Sequence, residues 1–340
     1  MNRMTHSPAD PLADQPAQPY LHVPPDAPIP AATRGCVLAI GNFDGVHRGH
    51  QAVLGEGMTI AERLAAPMFA LTFEPHPRTL FKPDDPVFRL TGEAEKARLF
   101  EAVGLNGDIV RTFDRAFAGQ SADTFVDDIL GAQIGIRHVV TGFDFHFGKN
   151  RQGSPDFLRT KGRESGFGVT IVEAFGDEAG DVVSSSHVRR HLVDGDVAEA
   201  AGQLGYRWFV DGTIIHGEKR GRDLGYPTAN QQLAPDCALR HGVYAVRMKV
   251  GDAHYDGVAS YGRRPMFDNG RPLFETYLFD FSDDLYGKSV SVGLFGFLRG
   301  EETFDSADAL VAQMGRDSAE ARAVLSAATP LSAIDAFLHF

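Results

Sequence analysis

Gly41-Asn42-Phe43-Asp44-Gly45-Val46-His47-Arg48-Gly49-His50 is the stretch that decides how the first half of this chain folds. The apolar run Val37-Leu38-Ala39-Ile40 precedes it and Gln51-Ala52-Val53-Leu54 follows. The segment is therefore expected to be a buried strand, a glycine-rich turn and a helix opening near Arg48. That geometry suits a phosphate. Gly41 and Gly45 let the backbone approach an anion closely, and the free N–H groups of the first helical turn point at it, with the positive end of the helix dipole. His47 and His50, three residues apart, add donors or protons for a reacting phosphate. Either histidine alone reads more simply as a surface polar group in a tight turn. Both together, on a turn with three glycines, favour the phosphate site.

A chain of 340 residues exceeds the usual single domain, so two domains are expected. Hydrophobic content of 43% and charged content of 23% describe an ordinary globular protein with a sizeable core. The net charge of -12 argues against a nucleic-acid partner, whereas a small anion needs only a local cluster of donors. Cys36 and Cys237 lie far apart without metal-ligand spacing, which speaks for a reducing compartment and no disulfide framework. No apolar run approaches a membrane span and the N-terminus lacks an apolar signal segment, so no membrane association is expected and the cytoplasm is the expected location.

Eight of the 19 prolines fall within residues 1–30, and residues 1–33 are expected to form a disordered arm. Residues 34–203 alternate short apolar strands (37–40, 68–73, 109–112, 138–142, 169–172) with helices (93–103, 122–130, 155–163), implying a parallel sheet covered on both faces. In such a sheet the site lies at the carboxyl ends of the strands. Glu74-Pro75-His76-Pro77-Arg78 and Phe143-Asp144-Phe145-His146-Phe147-Gly148 follow strand ends. Ser184-Ser185-Ser186-His187-Val188-Arg189 opens a helix after the last strand and supplies hydroxyls and a guanidinium for phosphate oxygens. Singly, these serines read as a plain N-cap and His76 as a turn residue.

Near Leu204 the period changes to short strands separated by Gly, Pro, Asp and Asn turns, with one clear helix beginning at Ala307. Residues 204–327 are expected to form a small antiparallel barrel or sandwich with a terminal helix, and 328–340 an unassigned extension. Gly217, Arg220, Gly221 and Arg222 have the composition of a phosphate-binding flap, followed by Thr228 and Asn230, whose neutral oxygens suit Mg²⁺ beside a nucleotide. The simpler reading of the flap is a solvated basic loop. Gly287-Lys288-Ser289 is no Walker loop, because position 282 is Ser and the following residues alternate as a strand. Glu275 shares an apolar strand face with Tyr277, Phe279 and Phe281. Were that face the barrel interior, desolvation would raise its proton affinity as a general base requires. A structural glutamate paired with Arg263 or Arg264 is the equal alternative.

These motifs in this order resemble the bifunctional prokaryotic riboflavin kinase/FAD synthetase family over roughly residues 35–320. G-N-F-D-G-V-H-R-G-H, E-P-H-P, G-F-D-F-H-F-G and S-S-S-x-x-R are similar to the FMN adenylyltransferase half. H-G-x-x-R-G-R-x-L-G-Y-P-T-A-N and the Glu275 strand leading into D-L-Y-G are similar to the kinase half. The resemblance implies an α/β Rossmann-like nucleotidyltransferase domain followed by a small all-β Greek-key barrel with a C-terminal helix. It implies two ATP-consuming steps, riboflavin to FMN and FMN to FAD, with Mg²⁺. Glu275 would be the kinase base, with Thr228 and Asn230 holding the metal. His47 and His50 would stabilise the α-phosphate, within a nucleotide site that takes in Gly41, Phe43 and Gly45. Ser185, Ser186 and Arg189 would hold the departing phosphates, and Asp144 and Arg264 would lie at flavin. Ser186 stands where the family commonly has Thr, Tyr226 where it has Phe, and Arg264 and Met266 where many relatives carry Asn and Thr. Two other readings remain open: activity in one half only, and a nucleotide- or flavin-sensing protein without turnover.

Overall fold

A computed structural model of the chain describes residues 19–176, 180, 182–216, 225–263 and 272–340. The first sheet has the spatial order β1-β4-β3-β2-β5-β6 and all its pairings are parallel. Its strands are β1 (Leu21–Val23), β2 (Val37–Ile40), β3 (Met68–Glu74), β4 (Gly107–Thr112), β5 (His138–Gly142) and β6 (Gly168–Val172). Alternate residues of the central strands enter different layers. Val37, Ala39, Met68 and Ala70 pack under the helix Arg48–Leu64, while Leu38, Ile40, Phe69 and Leu71 pack against Phe125, Ile129 and Leu130. This is the double covering that continuous apolar strands demand. The helix expected over 122–130 begins as Ala122–Thr124 and continues in π-helical form as Phe125–Ile134.

Part of the proline-rich segment is structured. Residues 19–33, expected to belong to that arm, pack on the first sheet, where Leu21–Val23 adds an edge strand to β4 and Val23 is buried. Tyr20 donates its hydroxyl to Asp108 Oδ1 at 2.7 Å, and His22 Nδ1 lies 2.9 Å from the same oxygen. Prolines are tolerated here because an edge strand leaves one row of N–H groups unused. Residues 1–18 lie outside the described part.

The second sheet runs β7-β12-β9-β10-β11-β8, from β7 (Phe209–Thr213), β8 (Thr228–Gln232), β9 (Gly242–Val250), β10 (Ala253–Arg263), β11 (Pro272–Leu278) and β12 (Ser289–Arg299). All its pairings are antiparallel. A bridge from Ile215 to Asn230, with Ile215 N donating to Asn230 O at 2.8 Å, ties the two edge strands together into a barrel. Strand β8 carries Thr228 and Asn230, the polar ligands that the sequence places after the flap. The helix Ala307–Ser326 covers the outer side, where Ala321 and Leu325 pack with Ala245 and Phe279.

Glu275 is not on the barrel interior. Phe274, Thr276 and Leu278 are the buried side of β11, so the period of two turns Glu275 and Tyr277 to the other face, where both are half-buried. The strand also stops at Leu278, before the turn in which Asp280 takes a φ of 55°.

The final residues, unassigned from sequence, pack onto the rest of the chain. Ala333–His339 is a helix that buries Ile334 and Leu338 and touches both the helix Glu93–Val103 and β9. Its Asp335, fully buried, pairs with Arg207 and accepts from Arg207 N at 2.8 Å and Leu331 N at 3.0 Å. One apolar core runs through both sheets by way of Leu192, Leu204, Tyr206 and Trp208.

Candidate functional site

Strand β2 ends at Ile40, and the turn to the helix Arg48–Leu64 is sharply bent. Phe43, Gly45 and Val46 have φ of 49°, 83° and 38°. Two non-glycine residues in the left-handed region mark a turn held by its surroundings rather than by its own preference. A Cβ on Gly45 would meet Leu90 Cδ1 at 2.7 Å. His47 is the N-cap, with Nδ1 accepting from His50 N at 3.3 Å, and the two imidazoles stack with centroids 3.7 Å apart. An imidazole that accepts at Nδ1 carries its proton on Nε2, where it is available to a ligand oxygen. Burial, reinforced by the Arg189 charge, pushes the His47 pKa down to about 4. Burial, with His47 and Lys96 nearby, holds His50 well below the usual histidine range. Both rings are therefore neutral near pH 7, and His50 Nδ1 is buried without a partner.

The serine run opens the helix Ser185–Asp194, as its sequence indicated. Ser184 Oγ accepts from His187 N at 3.3 Å, and Ser185 Oγ donates to Asp44 O at 2.8 Å. Arg189 donates Nε to Phe88 O at 2.6 Å, and its Nη2 pairs with Asp44 Oδ2. The other Asp44 oxygen accepts from Leu90 N at 2.9 Å and Thr91 N at 3.1 Å. Gly41, Phe43, His47, His50, Asp144, Ser185, Ser186 and Arg189 all line one cavity of about 480 Å³, so the structure brings these sequence-predicted residues together. Gly45 does not line it. It shapes the turn, donating N–H to Thr91 Oγ1 at 2.9 Å.

Three features escaped the sequence reading. Asp44 sits inside the glycine-rich motif but gives no sign there of its partner 145 residues away. Lys96 is buried, with Nζ 2.7 Å from Glu74 Oε1 and 3.1 Å from Thr72 Oγ1. A second cavity of about 560 Å³ adjoins the first, with Asn42, Arg78 and Phe145 in both walls. Phe73, Phe81, Phe113, Phe117 and Phe147 make its sides, and Lys149 and Arg151 stand at it. The spacing of Phe113 with Phe117, and of Phe145 with Phe147, was the available signal.

In the barrel, β11 pairs with β8 so that Glu275 faces Asn230 and Tyr277 faces Thr228. Asn230 Oδ1 is buried with no hydrogen-bond partner. Beside the Thr228 hydroxyl, this unused neutral oxygen fits a hard cation such as Mg²⁺. A cavity of about 730 Å³ takes in Thr228, Thr276, Asp284 and Tyr286, and His216 stacks on Tyr286 with centroids 3.9 Å apart. Asn230 and Glu275 lie along the same strand pair but do not line that cavity. Gly217, Arg220, Gly221, Arg222, Arg264 and Met266 lie outside the described residues.

A doubly covered parallel sheet with a glycine-rich strand–turn–helix, joined to an antiparallel barrel with its own cavity, defines the class: a Rossmann-like domain followed by a small barrel with a terminal helix. The FAD synthetase family model matches residues 29–187 and the riboflavin kinase family model residues 204–325. Bifunctional riboflavin kinase/FMN adenylyltransferase of Escherichia coli K12 is 39% identical over 86% of this chain and 93% of that protein. The protein of that description in Bacillus subtilis is 37% identical over 84% and 91%. A solved structure described as a macrolide-efflux protein from Streptococcus pneumoniae is 30% identical, with a TM-score of 0.76 over 88% of this chain and 97% of that one. That likeness bears on the fold; among the described residues no helix is long and apolar enough to cross a membrane. The chain belongs to the bifunctional riboflavin kinase/FMN adenylyltransferase family. It is an enzyme with both activities, taking riboflavin, FMN and ATP as substrates and giving FMN and FAD as products.

Proposed function

We propose that the two steps run at separate places in the chain, divided near residue 204: FMN is made at the barrel and FAD at the cavity floored by the helix Arg48–Leu64. The convergence of His47, His50, Ser185, Ser186 and Arg189 on one cavity beside an aromatic one carries this reading. In adenylyl transfer, an FMN phosphate oxygen attacks the α-phosphorus of ATP and pyrophosphate leaves. Neutral His47 and His50 donate hydrogen bonds to the α-phosphate, and Arg189 with the Ser185 and Ser186 hydroxyls takes the charge of the departing phosphates. The phenylalanine walls of the second cavity suit the flat apolar face of an isoalloxazine ring, with Lys149 and Arg151 toward its polar edges. Asp144 lines the first cavity, beside Phe145, which lines both.

In the kinase step, Glu275 takes the proton from the riboflavin 5′-hydroxyl, which attacks the γ-phosphorus while ADP leaves. Thr228 and Asn230 would hold Mg²⁺, which supplies neutralisation of phosphate charge when bound. The flap residues Gly217, Arg220, Gly221 and Arg222 and the flavin contact Arg264 complete the assignment. We place the enzyme in the cytoplasm, with Cys36 and Cys237 as free thiols in support. Incubating pure protein with riboflavin, ATP and Mg²⁺ and resolving products by chromatography tests the whole scheme: FMN and then FAD are expected, and a variant that blocks one step must leave the other.

A further inference from the structure

Residues 88–91 belong to no helix or strand, so their position is set by the bonds they make outward. Those bonds go in two directions. Toward the adenylyl-transfer cavity, Phe88 O accepts from Arg189 Nε at 2.6 Å, and Leu90 N and Thr91 N both donate to Asp44 Oδ1. Toward the barrel, Leu90 O accepts from Trp208 Nε1 at 2.8 Å, and Arg89 N donates to Asp236 Oδ2 at 3.2 Å. The Trp208 ring is buried and meets Phe88 edge-on at 5.8 Å. Beside this segment, Tyr206 donates its hydroxyl to Gly45 O at 2.6 Å, and Gln51 Nε2 donates to both Val46 O and Leu204 O. The Asp44–Arg189 ion pair that lines this cavity thus hangs on a strand-free segment, and side chains of Trp208 and Asp236 hold the far side of that segment.

We propose that the kinase barrel is a working part of the adenylyltransferase site: Trp208 and Asp236 are positioning residues that act through residues 88–91 to aim the Asp44–Arg189 pair at the departing pyrophosphate. The inference rests on the phosphate role given to Arg189 above. Its chemistry is ordinary. A guanidinium fixed by Phe88 O and Asp44 loses no freedom when the transition state forms, whereas one on a loose segment must be ordered at that moment.

The test uses the full-length enzyme carrying Trp208→Phe, Asp236→Ala, Asp236→Asn and, separately, Arg189→Ala. Adenylylation of FMN and phosphorylation of riboflavin are followed side by side, with inhibition of adenylylation by inorganic pyrophosphate; the kinase rate doubles as the check on folding. Trp208→Phe and Asp236→Ala are expected to lower kcat for FAD formation, and weaken pyrophosphate inhibition, by about three- to tenfold, the range set by losing one neutral hydrogen bond. Riboflavin phosphorylation stays within about twofold, since neither residue lies at the barrel cavity. Asp236→Asn keeps an acceptor for Arg89 N and should recover the wild-type rate. Equal losses in both steps, or FAD formation unchanged in both Trp208→Phe and Asp236→Ala while Arg189→Ala is inactive, would overturn the inference alone. A full rate in Arg189→Ala would overturn the site assignment and the inference with it.

Discussion

Glu275 of β11 stands directly opposite Asn230 of β8, on the face of the strand pair that also carries Thr228 and Tyr277. A carboxylate beside two neutral oxygens is the arrangement that the proposed kinase base would need, near metal-bound phosphates without itself being a ligand. Glu275→Gln should lower FMN formation from riboflavin by about 100-fold or more, the usual loss on removing a general base. Supplied FMN should still be converted to FAD. Chromatography of both reactions decides it; parallel loss of the two steps in folded protein would remove Glu275 from this role.

His50→Ala should do the reverse. FMN accumulates and FAD formation falls by about 100-fold, as expected when a donor to the developing phosphate charge is removed. The assay is the same, and a variant still making FAD at the wild-type rate would refute the histidine assignment.

Acid should destabilise the fold in a defined window. Unfolded histidine takes a proton near pH 6.5, but His47 in the fold resists protonation until about pH 4. Between those values the unfolded chain binds more protons, so stability falls as pH falls. The contribution is complete above about pH 6.5 and lost toward pH 4, on the order of 2–3 kcal/mol for His47. His50 and His339, also held below the usual range by burial, act with the same sign. Urea midpoints from pH 8 to 4 should be flat above 7 and then drop, with a shallower drop in His47→Gln.

Phe81 lies at the rim of the aromatic cavity, 67% exposed, with its ring 6.0 Å from that of Phe113. Truncating so exposed a ring costs the fold little. Phe81→Ala should raise KM for FMN by about two- to tenfold, the worth of one aromatic contact, and leave riboflavin phosphorylation unchanged. Steady-state kinetics of each step would show it, and an unaltered KM would move the flavin elsewhere.

Asp335 is fully buried and satisfies Arg207 and two backbone N–H groups. Asp335→Ala should therefore destabilise the protein by about 2–4 kcal/mol, because it leaves two buried N–H groups and a largely buried guanidinium without their carboxylate. Chemical denaturation measures this directly. A change below about 1 kcal/mol would mean that water reaches Arg207 as the helix Ala333–His339 loosens.

What local chemistry controls was legible in the sequence. Strand–turn–helix at residues 37–64, the capping serine run, and the alternation of strands with helices all follow from period, glycine placement and side-chain hydrogen bonding over a few residues. The edge strand Leu21–Val23 was hidden because its stability comes from β4, more than eighty residues away, and its proline-rich flanks read as arm. The sequence left the face of Glu275 open for a related reason: Phe274 and Leu278 on one side and Tyr277 on the other make both faces of β11 partly apolar, so alternation alone cannot say which is interior.

By itself, then, the sequence determined which candidate groups lie on which turn, cap and strand and the local backbone that presents them, since caps, turns and strand periods are decided within one or two turns of chain. Only the tertiary structure decided which groups meet: Asp44 with Arg189, Glu275 with Asn230, residues 88–91 with Trp208, and the phenylalanines with one another. Those pairings span tens to more than a hundred residues. They exist because burying a shared apolar core fixes distant segments side by side, information that no short stretch of chain contains.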